Sequence, residues 1–570
     1  TASFVAQYSV INRFHLPATW LFTYDALADS KLIDAVQKMD HQQEKGIFLE
    51  ITPDFATAAG VTYHQSASWH FANSVFLSGY TQPERLKLID TIFEKFKSIF
   101  GYFPTSIGSW WTDGYSLSYI KDKYGITANL GVSDQFKTDG YQIWGQYWST
   151  PYYPSVYHPA VPATSLNNKL DLVTLQWAPR DPYWGYLDSL YSVQDYKQVG
   201  KDISYFKQLI ELYTKPGTNQ FSQVTVGLET DLSPPAYQNE FAAQMAEVKA
   251  RADSEEFVVT NMNQFSDWYR RQFPHLSPSQ TIVSENSIWY QSPHYRVGLV
   301  HDQANHNTKI IDFRSYSDSL VDPFFSIPNG DRDLFINIPS VIDSISKPGS
   351  DKVLSLGEFI SFSESASALT LKFSQGIFNL PFSPPPKPLV FHDLSPRLPY
   401  AIRSRLGYIS NSLSVVTIAT VLVLSFKFFK PTRFLIVISI LVYLFYSWKT
   451  QYFVSQSEIE ALNYLSTLPT GLVMVYDRDC MRCTWYTSHR PAAMANKRDY
   501  VRQISRHPIK YVSSILTAAD SGQGKLILKK DSIQYLYLVK YGSYIEDTHF
   551  SPQDLNLTKI YENANSEIWK

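Results

Sequence analysis

The sequence predicts an α/β fold for its first half, then an all-β unit, an apolar hairpin and a second, smaller α/β unit. Three observations carry this. Across residues 1–275 short apolar runs alternate with helical patterns, which argues for parallel strands joined by helices. Residues 281–380 change to polar–apolar alternation broken by turn residues. Residues 406–449 are almost continuously apolar. At 570 residues the chain exceeds what one hydrophobic core serves, so several domains are expected.

In the first region "TWLFTYD", "GIFLEIT", "TSIGSW", "TANLGVS", "LVTLQWA", "VTVGLET" and "FVVTNMN" are seven candidate strands. Between them, Thr81, Pro83 and Glu84 form a capping-box start, and Leu86, Ile89, Phe93, Phe96 and Phe100 mark one apolar helix face that needs a sheet to cover. Pro104 ends that helix, "TSIGS" makes a short strand, and the next helix begins after Asp113 and closes at Gly125. Trp110, Trp111 and Asp113 therefore fall in a loop at the carboxyl end of a strand, the face where parallel barrels build their sites. The two tryptophans either pack over the mouth or stack on a ligand.

Asp25, Glu50, Asp134 and Glu229 each end, or closely follow, an apolar strand, so all four can face one mouth, joined by Arg180 and Asp181 of "WAPRDPYWGY". Cleavage of a glycosidic bond needs two carboxylates across it, one of them protonated. A carboxylate after a strand also serves as a helix N-cap, the plainer role for Asp134 and Asp231. Glu50 and Glu229 follow the strongly apolar "GIFLE" and "VTVGLE", where an acid is either paired within the fold or functional. Deacetylation instead needs a polarised carbonyl, an activated water and an acid, which a divalent, zinc-like metal with an aspartate and a histidine supplies. Asp25, His64 and His70 are the early trio of suitable ligand types, although lone histidines are commonly structural.

The order helix, Gly-x-x-Pro in "GYFP", short strand, aromatic loop, helix and "YGI" resembles the third region of NodB-homology polysaccharide deacetylases, in the glycoside hydrolase/deacetylase superfamily of (β/α)7 barrels. The resemblance covers roughly the first half of the chain. It implies a (β/α)7 barrel over residues 1–275, action on a polysaccharide, and Asp25 of "FTYDAL" as catalytic base. Departures are plain. Ala26 stands where a metal-binding aspartate is usual, His64 and His70 are six positions apart rather than on one helical turn, and the third motif's Arg and Pro are replaced in "GSWWTDG". Three readings follow: a metal-dependent deacetylase, a carboxylate glycosidase on the same barrel, or a non-catalytic glycan-binding scaffold.

Residues 281–382, with "YRVGLV", "TKIIDF", "DLFINI" and "LTLKF", predict a small antiparallel sandwich-like domain, in which His301, Asp302 and His306 are ligands or solvated loop residues. The Pro-rich residues 383–405 predict an extended stalk. Residues 406–429 are long enough to cross a bilayer and "FLIVISILVYLFYSW" is shorter, so 406–449 reads as a transmembrane hairpin. Lys427, Lys430 and Arg433 around Pro431 place its connection in the cytoplasm, with barrel and tail extracytoplasmic, while Arg403, Arg405 and Lys449 oppose this.

Residues 456–570 predict a compact α/β tail: a helix over 456–467, the strand "GLVMVYD", a helix over 492–504, and strands "KLILKK" and "QYLYLVKYG". The tail is similar to the extracytoplasmic domain that ends some multispanning glycosyltransferases, whose many membrane helices this chain lacks. Cys480 and Cys483, the two cysteines of the chain, form C-x-x-C, readable as a local disulfide, a redox pair or half a metal site. Fifty Lys and Arg against 52 Asp and Glu leave no nucleic-acid footprint. The 39 Tyr and 13 Trp suit sugar stacking, membrane interfaces and core filling alike. The chain opens at Thr1 rather than Met, and a preceding segment is expected. Together these features predict a membrane-anchored, outward-facing carbohydrate-active protein whose partners are an envelope or extracellular polysaccharide and the lipid bilayer.

Overall fold

The computed structural model describes residues 1–381, apart from breaks at 67–69, 139, 216, 218, 230–233, 303–306, 341, 347–350, 355–358 and 366–367. It also describes 456–469, 472–476, 498–499, 520–530, 533–539 and 551–570 except 565. The stalk, the apolar hairpin, Asp231, His306 and the Cys480–Cys483 pair lie outside the described residues. The chain divides into two compact units, residues 1–339 with 353–385, and residues 340–352 with 386–570.

The first unit is mixed α/β around a parallel sheet. Its strands are β1 (Ala18–Phe22), β2 (Gln43–Phe48), β3 (Ser106–Gly108) and β4 (Ala128–Val132). A hairpin of β5 (Gln135–Thr138) and β6 (Tyr141–Trp144) follows, and then β7 (Val173–Trp177) returns to the sheet. The order is β1-β2-β3-β4-β7, parallel throughout. Five of the seven expected strands are therefore present. The runs from Val224 and from Phe257 are assigned to no strand, although Val224, Val226, Leu228, Phe257 and Val259 pack on the same core. Side chains take up backbone groups there instead of a ladder: Gln7 Nε2 donates to the Glu229 carbonyl (3.0 Å), and Met262 N donates to Thr19 Oγ1 (2.8 Å).

Alternation settles which way each strand faces. Trp20 and Phe22 pack outward on Phe4 and Tyr8 of the helix Ala2–Arg13. Leu21 consequently points to the interior, where a Cβ on Gly108 would come within 2.5 Å of it and one on Gly46 within 2.7 Å. Outside the sheet, the helix Gln82–Phe100 starts with the expected capping box and stops at left-handed Gly101. Its buried face is Leu88, Ile89, Ile92, Phe93 and Phe96, with Leu88 taking the place expected of Leu86 and Arg85 buried beside it. The helix Gly114–Tyr124 is capped by Asp113 and ended by Gly125, as the sequence predicts.

Antiparallel structure follows: β8 (Gln280–Val283), β9 (Ser287–Gln291), β10 (Tyr295–Asp302) and β11 (Asn307–Ser315) pair in sequence, whereas β12 (Leu334–Asn337) pairs parallel with β6. A further antiparallel sheet joins Phe359–Glu364, Ala368–Phe373 and Gly376–Pro381. A buried ion network ties β10 and β11 to the end of β4. Arg296 reaches Asp134 at 2.5 Å and Asp312 at 2.9 Å, and Arg314 reaches Asp312 at 3.0 Å, with every side chain at most 1% exposed. Asp134 also accepts from the backbone N–H of Gly145 (3.1 Å) and Gln146 (3.2 Å). Gly145 has φ 107°, and a Cβ there would lie 2.9 Å from Arg314, so the turn admits no side chain. Burial works against the Arg296 charge, but Asp134 and Asp312 outweigh it and its pKa stands above the usual arginine value. Asp134→Ala leaves Arg296 short of one buried partner, and a loss of about 3–5 kcal/mol of unfolding free energy is expected in denaturant titration.

The second unit packs the helix Gln456–Thr467, at the expected bounds, on a five-stranded sheet. The sheet order is Arg498–Asp499, Leu472–Tyr476, Ile533–Val539, Ser566–Trp569, Lys559–Glu562. Two expectations need correction. "KLILKK" belongs to the helix Ser521–Lys530, where Leu528 is buried and Leu526 exposed, and Arg498–Asp499 is strand where a helix was expected. Asp520 decides the first case by accepting from Gln523 N at the helix start. Among the described residues no helix is long and apolar enough to cross a membrane.

Candidate functional site

The carboxyl ends of the parallel strands lead into irregular segments that hold several of the sequence candidates. Phe48 faces inward beside Gly108, and Trp110, two positions after Gly108, meets Phe48 edge-on at 5.4 Å, while β2 ends at Phe48 in a tight turn whose Glu50 N donates to the Phe48 carbonyl (3.2 Å). A Cβ on Gly227 would lie 2.9 Å from the Trp177 ring at the end of β7, so the run from Val224 passes beside that end and leads on to Glu229. Glu50, Trp110 and Glu229 are all half-buried. Burial raises the Tyr63 phenol above its ordinary pKa, and the Glu50 charge adds to this. Asp25 is exposed in the first turn after β1 and accepts from Thr52 Oγ1 at 2.8 Å, joining the β1 and β2 ends. Glu229 accepts from Gln194 Nε2 at 3.3 Å. Trp177, Thr52 and Gln194 escape a sequence reading. Trp177 could have been found by continuing the β7 alternation, whereas Thr52 and Gln194 give no local signal.

Other sequence candidates are built into the fold instead. Asp134 belongs to the buried network and Arg180 holds it from behind, donating to the Asp134 carbonyl and to the Ser189 carbonyl (2.7 Å) while 3% exposed. Asp181 caps the short helix at Trp184, accepting from Tyr183 N and Trp184 N at 2.8 Å each, and from Tyr205 Oη at 2.6 Å. Trp111 is 5% exposed and packs on buried His158. Burial presses the His158 pKa down to about 3, so this ring is neutral at any working pH. Asp113 is fully buried, bonded to Arg85 at 2.8 Å and capping Ser116 N at 3.0 Å. The early motif "GSWWTDG" thus contributes Trp110 to the mouth, while Trp111 and Asp113 serve packing and capping.

Asp113 has an acidic neighbour. Asp322 accepts from Gly114 N and Phe324 N at 2.8 Å each, and burial, with Asp113 adding to it, lifts its pKa to about 7. A carboxyl whose folded pKa lies above the unfolded value of about 3.9 binds a proton more tightly when folded, so its contribution to stability falls as pH rises between those values. Asp322→Asn should gain stability relative to the parent by about 1.4 kcal/mol per pH unit from roughly pH 4 to 7, and by nothing below that. Paired denaturant titrations across this range check the slope.

The metal trio does not assemble. His64 Nδ1 lies 2.9 Å from the Asn73 carbonyl and its ring stacks on Tyr80 at 4.5 Å, while Tyr141 Oη donates to the His70 carbonyl. Among the described residues no three His, Cys, Asp or Glu side chains stand close enough to hold a metal ion, and Asp25, His64 and His70 as a set do not fit one. His301 sits on β10 opposite Thr308, with its Nδ1 3.2 Å from the Thr308 hydroxyl, and Asp302 ends the same strand.

No protein-family model matches the sequence, and no curated protein matches it. Among solved structures the chain is similar to a candidate glycoside hydrolase/deacetylase from Parabacteroides distasonis, with 17% identity and a TM-score of 0.43. That likeness covers 58% of this chain and 80% of the other.

Proposed function

We propose that the mouth of the parallel sheet is a carbohydrate-hydrolysing site that works through carboxylates. The observation that supports the reading is that two half-buried acids, Glu50 and Glu229, follow β2 and the run beside β7, with Trp110 after β3 and Trp177 ending β7. β3 and β4 separate β2 from β7, so the two acids approach a bound sugar from different sides of the mouth. Glu229, met by the Gln194 amide, is the base or nucleophile. Glu50 supplies the proton to the departing glycosidic oxygen, and Asp25, oriented by Thr52, binds sugar hydroxyls at the rim. Trp110 offers an apolar face for the sugar ring. Among the described residues no three His, Cys, Asp or Glu side chains group to hold a metal ion, and no step is assigned to the metal-dependent route.

In this reading the glycan is an envelope or extracellular polymer, the site lies outside the cytoplasm, and the apolar residues 406–449 hold the chain to its bilayer. The test is hydrolysis of a panel of cell-wall and extracellular polysaccharides by the full chain, read as new reducing ends. Glu50→Gln and Glu229→Gln should each lower turnover by about 100-fold or more while the protein stays folded. Undiminished cleavage in both variants overturns the assignment. Chelator-sensitive acetate release in place of chain cleavage points to deacetylation, and binding without turnover points to a scaffold.

A further inference from the structure

The loop after β7 carries an aromatic surface that the mouth does not use. Trp184 is 46% exposed and Leu187 57% exposed, both in the short helix Trp184–Leu187. Tyr183 meets the Trp184 ring edge-on at 4.7 Å, and Tyr191 lies 5.9 Å away at an interplanar angle of 28°. The loop beneath this exposed indole is tied down by hydrogen bonds and close packing. Asp181 caps Tyr183 N and Trp184 N, Asp181 N donates to the Tyr191 carbonyl (2.8 Å), and a Cβ on Gly185 would strike the Arg180 Cβ at 2.6 Å. Ordering an aromatic face in advance lowers the entropy lost on binding. Lys201 stands 5.9 Å from the Tyr191 ring, giving the apolar surface a cationic edge.

The same segment also meets Glu229 of the proposed site. It leaves β7 just past Trp177, and Gln194 near its far end donates to the Glu229 carboxylate. We infer that Trp184, backed by Tyr183 and Tyr191, is an outer subsite that binds further residues of an extended polysaccharide whose reacting link lies at Glu50 and Glu229. The inference rests on the proposed glycan reading and narrows its substrate to chains rather than free sugars. Pyranose rings of equatorially linked glycans present flat C–H faces, which stack on exposed indoles, and their hydroxyls suit the charged edge. A protein partner would instead ask for a larger contiguous apolar area than one indole and one leucine provide.

The experiment uses the full chain and β-1,4-linked oligosaccharide ladders of glucose and N-acetylglucosamine, one to six units long, with binding followed by titration calorimetry and cleavage by product analysis. In the parent protein, affinity should rise with chain length. Trp184→Ala should remove that gain, weakening the hexamer by about tenfold while leaving the monomer unchanged, and Trp184→Phe should restore most of it. KM should rise for long substrates with kcat unaltered. A length dependence that survives Trp184→Ala, or a parent that binds no member of either ladder, overturns the subsite. Length-dependent binding that needs Trp184 but occurs without cleavage upholds the subsite and overturns the hydrolytic reading, so the two failures are separable.

Discussion

The buried chain of charges from Asp134 through Arg296 and Asp312 to Arg314 is the constraint around which the first unit is arranged. Removing four charged groups from water is tolerable only when each is met by opposite charge and by hydrogen bonds to spare. The fold meets that demand from several directions. Arg296 also donates to the Gln146 carbonyl at 2.6 Å, Arg314 donates to the Asn337 side chain at 2.9 Å, and backbone N–H groups cover Asp134. The participating backbone comes from the β4 end, the β6 turn and β10 to β12, so the network couples the parallel sheet to the antiparallel one. Trp289 of β9 lies under Arg296 at 5.1 Å and stacks on Trp148 at 4.3 Å, which excludes water from the junction.

This junction also shapes the mouth. A carboxylate at the end of β4 would otherwise stand beside Glu50 and Glu229, but Asp134 is drawn into the sheet interface and Arg180 closes over its backbone. Likewise Asp113 after β3 is consumed by Arg85 and the start of the next helix. The acids that keep access to solvent are on the other strand ends, where Thr52 meets Asp25 and Gln194 meets Glu229. The arginines thereby draw Asp134 and Asp113 into the fold, while Asp25 stays exposed and Glu50 and Glu229 stay half-buried.

Local chemistry was legible where a signal is short-range. The Thr81–Glu84 capping box, the Asp113 cap, the Gly125 stop, five parallel strands and the helix at Gln456 follow from neighbours within a few positions, and the structure has each of them. The runs at Val224 and Phe257 have strand composition, yet side chains from Gln7 and Thr19 bind the chain around them in place of a ladder. "KLILKK" has an apolar pattern compatible with either strand or helix, and the cap at Asp520 resolves it. Such outcomes depend on contacts distant in sequence or on a capping residue just outside the run.

By itself the sequence determined the alternation of short strands and capped helices, the shift to antiparallel structure after residue 280, and which residue types stand at the strand ends. Periodicity and capping act within a turn or two, so they are written locally. Only the tertiary structure decided what those strand-end residues do. Asp134 and Asp113, like Glu50 and Glu229, stand just past apolar runs in the sequence. What separates them is Arg296, 162 positions from Asp134, and Arg85, brought next to Asp113 by helix packing. A buried charge is set by whichever opposite charge the fold delivers, and that delivery is a property of three-dimensional packing.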